Sequence, residues 1–169
     1  PDWMASLGPA EQREEIIEWY QAVAERYPDL DQIEVVNEPL HAPPDAAHEG
    51  KYIDALGGSG VSGWDWIIEA FRIADTIFAD SIDRLINDYN IMNSIESTDK
   101  YLKIVQLLQA EDLIDGIGFQ AHGFSHTASN ATYLRNMDAL ASTGLPLYIT
   151  ELDIDGNTDL EQVHGYMNL

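Results

Sequence analysis

Cysteine is absent from the 169 residues, which excludes disulfides and thiolate metal sites without fixing a compartment. Cations are scarce. Only 8 Lys+Arg stand against 30 Asp+Glu, for a formal net charge of −22. A nucleic-acid backbone is bound through cationic side chains, so no nucleic-acid partner is expected, and anionic membranes should repel the chain. The balance implies a soluble surface with a strong repulsive field, suited to a salty or extracellular setting. No run of about 18 apolar residues occurs, so no transmembrane helix is expected. Interdomain linkers and low-complexity segments are missing too, and residues 1–169 read as one domain unit. The chain opens on Pro1 without a starting Met or a signal peptide, as expected of a mature product or a piece of a longer protein.

What is present is alternation. Pro9 to Tyr27 carries Ile16, Ile17, Tyr20, Val23, Ala24 and Tyr27 at helical spacing, with acids and Gln between them. "IEVVN" then reads as a short strand. After a long Gly/Pro/Ala-rich loop, "WDWIIEAFRIADTIF" predicts a second helix and "IDRLIND" a second strand. "TDKYLKIVQLLQAE" predicts a third helix with Thr98 as its N-cap, followed by the strand "IDGIGFQAH". "ATYLRNMDALAST" predicts a fourth helix stopped by Gly144, followed by the strand "LPLYITELDI". The tail from Asp159 begins another helical pattern. Strands centred near residues 35, 85, 118 and 149 with helices between them predict βα units and a parallel sheet, the α/β class.

The polar clusters share one address. Asn37 and Glu38 close the first strand, Asn87 to Asn90 the second, Gln120 and His122 the third, and Glu151 and Asp153 the fourth. In a parallel βα barrel those ends form one face, and active sites sit there. Glu38 and Glu151 occupy matching positions on two strands. Paired carboxyls of this kind suit glycoside hydrolysis, one as proton donor and the other as nucleophile or as base for water. Asn37 can offer its amide to a sugar hydroxyl. His122 can hydrogen-bond Glu151, with Asp153 orienting the ring. "HGFSH" (His122 to His126) suggests a metal pair, but no third ligand stands at a matching strand end, and no metal is expected. Trp64 and Trp66 are expected to pack rather than stack on sugar. His41 and His48 are candidate rim contacts in the long loop. Asn130-Ala131-Thr132 fits a glycosylation acceptor pattern.

"VVNEPLHAPP", "ALGGSG" with "GWDW", "LINDYN", "IDGIGFQAH" and "LPLYITELDI" together resemble glycoside hydrolase family 10, the (β/α)8-barrel endo-β-1,4-xylanases. The stretches run in family order over nearly the whole chain. The resemblance implies an incomplete (β/α)8 TIM barrel, with the four strands matching strands four to seven of eight. It also implies residue roles: Glu38 as acid/base, Glu151 as nucleophile, and Asn37 as the amide contacting the sugar at the cleavage site. His122 is the implied contact of the nucleophile, Asp153 its carboxylate partner, and Gln120 lines the same site. Tyr89 and Asn87 lie on the leaving-group side. The implied reaction is retaining hydrolysis of internal β-1,4-xylosidic bonds without a cofactor, on xylan or xylo-oligosaccharides. The implied location is extracellular or periplasmic.

Four strands cannot close a barrel. Open edges and an exposed inner face are therefore expected, with the missing part of the barrel supplied by another segment. Two alternatives stand beside this reading. One is a non-catalytic carbohydrate-binding or assembly fragment of a split barrel. The other is a related glycosidase acting on another β-glycan, such as cellulose or galactan.

Overall fold

The computed structural model describes residues 3–44, 52–123 and 127–153. A 3-10 turn at Met4–Ser6 leads into α1 (Pro9–Arg26). β1 (Gln32–Asn37) is followed by a four-residue helix, α2 (Tyr52–Ala55), and by α3 (Asp65–Ile77). β2 (Asp83–Asn87), α4 (Ile95–Gln109), β3 (Gly116–Phe119), α5 (Asn130–Ala141) and β4 (Leu147–Ile149) complete the order. The sheet is parallel with strand order β1-β2-β3-β4, so each βα step moves one place sideways in the same direction. That is how a (β/α) barrel is wound, and here the wall is partial, with β1 and β4 at its two edges. The predicted tail helix from Asp159 lies outside the described residues.

Local chemistry explains the element boundaries. Pro9 opens α1 where a missing N–H costs nothing, and the Gly8 N–H donates to Glu11 Oε2 at 2.9 Å. The α4 cap differs from expectation. Ser94, not Thr98, is the N-cap, and its hydroxyl accepts from the Ser97 N–H at 3.2 Å. Thr98 lies one turn inside and is fully buried, its hydroxyl donating to the Ile91 carbonyl at 2.6 Å. The "IES" segment before it extends the helix by a turn. Past α5, Gly144 takes φ +79 and stops the helix as expected.

The helices cover the outer face of the sheet. Trp66, Ile67 and Phe71 of α3 and Ile104, Val105 and Leu108 of α4 pack with Ile86, Ile117 and Phe119. Trp66 is buried and Trp64 packs against the same core, as the sequence predicts. At the other end of the strands, the Arg84 guanidinium bridges Asp75 and Asp115.

β1 departs from strict alternation. Glu34 pairs with Leu85 and Val36 with Ile86, leaving Val35 as an extra residue. Both valines therefore pack on the helix side, while Glu34 and Asn37, three positions apart, both reach the Asn87 amide on the inner side. A bulge re-aims side chains in this way.

Candidate active site

The last rungs of the sheet are made by the predicted site residues. The Glu38 N–H donates to the Asn87 carbonyl at 2.8 Å, Gln120 N–H to the Asp88 carbonyl at 3.0 Å, and Glu151 N–H to the Gln120 carbonyl at 3.1 Å. Glu38, Asn87, Gln120 and Glu151 are thus fixed by backbone as well as by side chain.

A chain of amides connects the two glutamates. Gln120 Nε2 donates to Glu38 Oε1 at 2.7 Å and lies 3.2 Å from Asn37 Oδ1. Asn87 Nδ2 lies 3.0 Å from both Asn37 Oδ1 and Glu151 Oε1. Asn87 Oδ1 accepts from the Thr150 hydroxyl at 2.8 Å, while the carboxylates of Glu34 and Glu151 facing Nδ2 set the orientation of that amide. Asn87 and Gln120 are buried, so these donors are preorganised. Gly118 makes room for them: a Cβ there would meet Asn87 Oδ1 at 2.9 Å and the Ile86 carbonyl at 3.0 Å.

Glu151 has a second neighbour. His122 Nε2 lies 3.2 Å from Glu151 Oε2, and His122 Nδ1 lies 2.6 Å from Asp153 Oδ2. Asp153 Oδ1 accepts the Gly123 N–H at 2.6 Å. The hydrogen bond to Asp153 raises the His122 pKa, and Glu151 adds to the rise. The structure therefore joins Asn37, Glu38, Asn87, Gln120, His122, Glu151 and Asp153 in one connected site. Tyr89 belongs beside them. Desolvation first, then the charges of Glu38 and Asp88, push its phenol up.

Among the described residues, three of the four non-glycine positions with positive φ lie around the site, Asp112 being the fourth. Glu38, Asn90 and Ala121 take φ near +55 to +59, a conformation costly for residues with a Cβ. Each stands at the C-terminal end of a different strand.

Sequence reasoning missed two carboxylates. Glu34 Oε2 lies 3.2 Å from Asn87 Nδ2, on the inner face below Glu151. Desolvation, then the Glu151 charge, raise the Glu34 pKa, and the Asn87 hydrogen bond opposes them. The available signal was a lone acid among β-branched residues in "IEVVN". Asp88, quoted within "NDYN", received no role. It is fully buried and accepts the N–H groups of Leu40 and Tyr89, each at 2.8 Å. His41, expected at the rim, instead places Nδ1 2.7 Å from Asp88 Oδ1. His48 and His126 lie outside the described residues. Among the described residues, no group of three or more His, Cys, Asp or Glu is placed to hold a metal ion. No helix among them is long and apolar enough to cross a membrane.

Two glutamates at the strand ends of a parallel βα wall match the arrangement expected of a barrel glycoside hydrolase. Residues 1–168 match the family described as Glycosyl hydrolase family 10, and the chain belongs to that family. Endo-1,4-beta-xylanase B of Cellvibrio japonicus is 29% identical over 98% of this chain and 25% of its own length. A family 10 structure from Paenibacillus barcinonensis superposes with a TM-score of 0.76 and 25% identity, over 94% of this chain and 50% of that one. An intracellular xylanase from Thermoanaerobacterium saccharolyticum, solved as a mutant with xylotriose, gives 0.68 and 26%, over 95% of this chain and 52% of that one. The chain thus spans a quarter of the curated relative and about half of each solved chain.

Proposed function

We propose that this chain carries both catalytic carboxylates of a retaining endo-β-1,4-xylanase. Glu38 protonates the leaving oxygen while Glu151 attacks the anomeric carbon. Glu38 then takes a proton from the water that releases the sugar. The carrying observation is the amide chain that ties Glu38 to Glu151 across the ends of all four strands. His122, in its protonated form, sets a positive charge against Glu151. Asn37 and Gln120 face the sugar at the cleavage site, and Tyr89 and Asn87 lie on the leaving-group side. No cofactor enters these steps. The likeness to xylanases, one of them bound to xylotriose, supports xylan or xylo-oligosaccharides as substrate. Reducing-sugar release from β-1,4-xylan, with the anomer of the first product read by NMR, tests the reading. Loss of all release in Glu151→Ala and a β-anomer from the native site are expected. An α-anomer would refute retention.

The open edges favour a second statement about assembly. Ile149 on β4 is 56% exposed, and an apolar cleft of about 720 Å³ lies beside β1, lined by Trp3, Ile16, Trp19, Val35 and Trp66 among others. We infer that further βα units of the same barrel cover these edges and complete the cleft, on this or another segment. Residues 1–169 expressed alone should then hydrolyse xylan poorly and gain activity when those units are supplied. Full activity of a lone monomer, shown by intact mass and sedimentation, would overturn this. From the family resemblance and a polymeric substrate we infer an extracellular or periplasmic location. Since one relative is described as intracellular, fractionation of the source cells is the test.

A further inference from the structure

We propose that His41 is a positioning residue for the proton donor: its ring ties the strained Glu38 turn to Asp88, Ser97 and Tyr89. This rests on Glu38 being the acid. Glu38 holds φ +55 immediately before Pro39, a backbone state that needs external support. That support is visible. The Ala42 N–H returns to the Glu38 carbonyl at 3.0 Å, and the Leu40 N–H donates to Asp88 Oδ2 at 2.8 Å. Next along the turn, His41 Nδ1 meets Asp88 Oδ1 at 2.7 Å, and its Nε2 meets the Ser97 hydroxyl at 3.3 Å. The arrangement that satisfies each partner has Nδ1–H donated to the carboxylate and the Ser97 O–H donated to Nε2. The ring also stacks on Tyr89, with centroids 4.5 Å apart.

Asp88 therefore accepts the Leu40 N–H on Oδ2, and the His41 ring and the Tyr89 backbone N–H on Oδ1. One fully buried carboxylate fixes both the turn behind the acid and the tyrosine beside the leaving group. His41 completes the bracket from the loop side and anchors it to the first turn of α4 through Ser97. Loss of the ring should let the Glu38 carboxyl drift from the leaving oxygen, while Glu151 stays in place on its own strand.

The discriminating readout is leaving-group dependence, in the full-length protein. Xylan needs a proton on its departing oxygen, whereas a 2,4-dinitrophenyl β-xylobioside departs without one. kcat/KM reports steps up to the glycosyl-enzyme. His41→Ala should lower kcat/KM on xylan by about ten- to a hundred-fold and on the dinitrophenyl substrate by less than about three-fold. His41→Phe keeps a ring for Tyr89 but no hydrogen bond to Asp88, and should show the same split. Its thermal melt guards against a loss of folded protein. Equal losses on both substrates, or no loss on either, would overturn the proposal. Glu38→Gln run alongside separates the two readings. If it too lacks the split, the assignment of Glu38 is what fails. If it shows the split and the His41 variants do not, His41 has no positioning role.

Discussion

Glu38 and Glu151 sit on the same face of one sheet in unlike surroundings. Glu38 follows a bulged strand in a left-handed conformation, and its side-chain oxygen accepts from the neutral amide of Gln120. Glu151 ends the shortest strand and touches a histidine whose charged form is favoured by Asp153. Two identical side chains are thus given a neutral donor on one side and a cation-capable one on the other. Unlike surroundings of this kind are what the proposed division between acid and nucleophile requires.

The largest effects should come from erasing either member. Glu151→Ala should abolish turnover on every glycoside. Glu38→Gln should cost about 10²- to 10⁴-fold on xylan, in steady-state assays. Equal behaviour of the two variants on activated substrates would erase the distinction between the sides.

Gly118→Ala attacks the amide chain that joins them. The new Cβ must displace Asn87 Oδ1 or the Ile86 carbonyl. A fall in kcat of about 10²-fold is expected, with about 1–3 kcal/mol lost in chemical unfolding. Undiminished activity would show that the amide chain is dispensable.

Asp153→Asn sharpens the Glu151 side. The His122 pKa is raised above its ordinary 6.5 chiefly by the Asp153 hydrogen bond. Its charged form is therefore fully present below 6.5 and is lost as pH rises through the raised value. The variant should move the His122 midpoint down toward 6.5 in an NMR titration, and an unmoved midpoint would deny Asp153 that role.

Glu34→Gln tests the carboxylate beneath Glu151. Desolvation and the Glu151 charge raise the Glu34 pKa above the ordinary 4.5. The folded protein then holds a proton that the unfolded chain has released, and stability falls as pH rises from about 4.5 through the raised value. Thermal melts of the variant should lack that decline. The smallest effect serves as a control. Ser129→Ala removes the α5 N-cap that accepts from the Thr132 N–H, costing about 1 kcal/mol without altering the ratio of activities on xylan and activated substrates.

Most of the wall was legible in the sequence. Apolar periodicity located α1, α3, α4, α5 and all four strands, and the polar clusters at strand ends named the connected site. Three features escaped because they depend on position in space. The Ser94 cap was hidden because Thr98 offered an equally good capping side chain one turn later. The role of Glu34 depends on which face of β1 it occupies, and the extra Val35 alters that count. Asp88 and His41 read as polar loop residues until the β1 turn and the β2 end are brought together.

That single supernumerary valine has a consequence for what a shortened β1 would keep. Deleting Val35 would leave the composition of β1 almost untouched and would restore perfect alternation. Glu34 and Asn37 would then stand two positions apart and still share the inner face, with the pairing of Val36 and Asn37 to β2 kept. What the deletion would remove is the local bend by which the bulge re-aims the strand just ahead of Glu38. The approach of the chain to the Glu38 turn is thus set by how many residues the strand contains as well as by which ones.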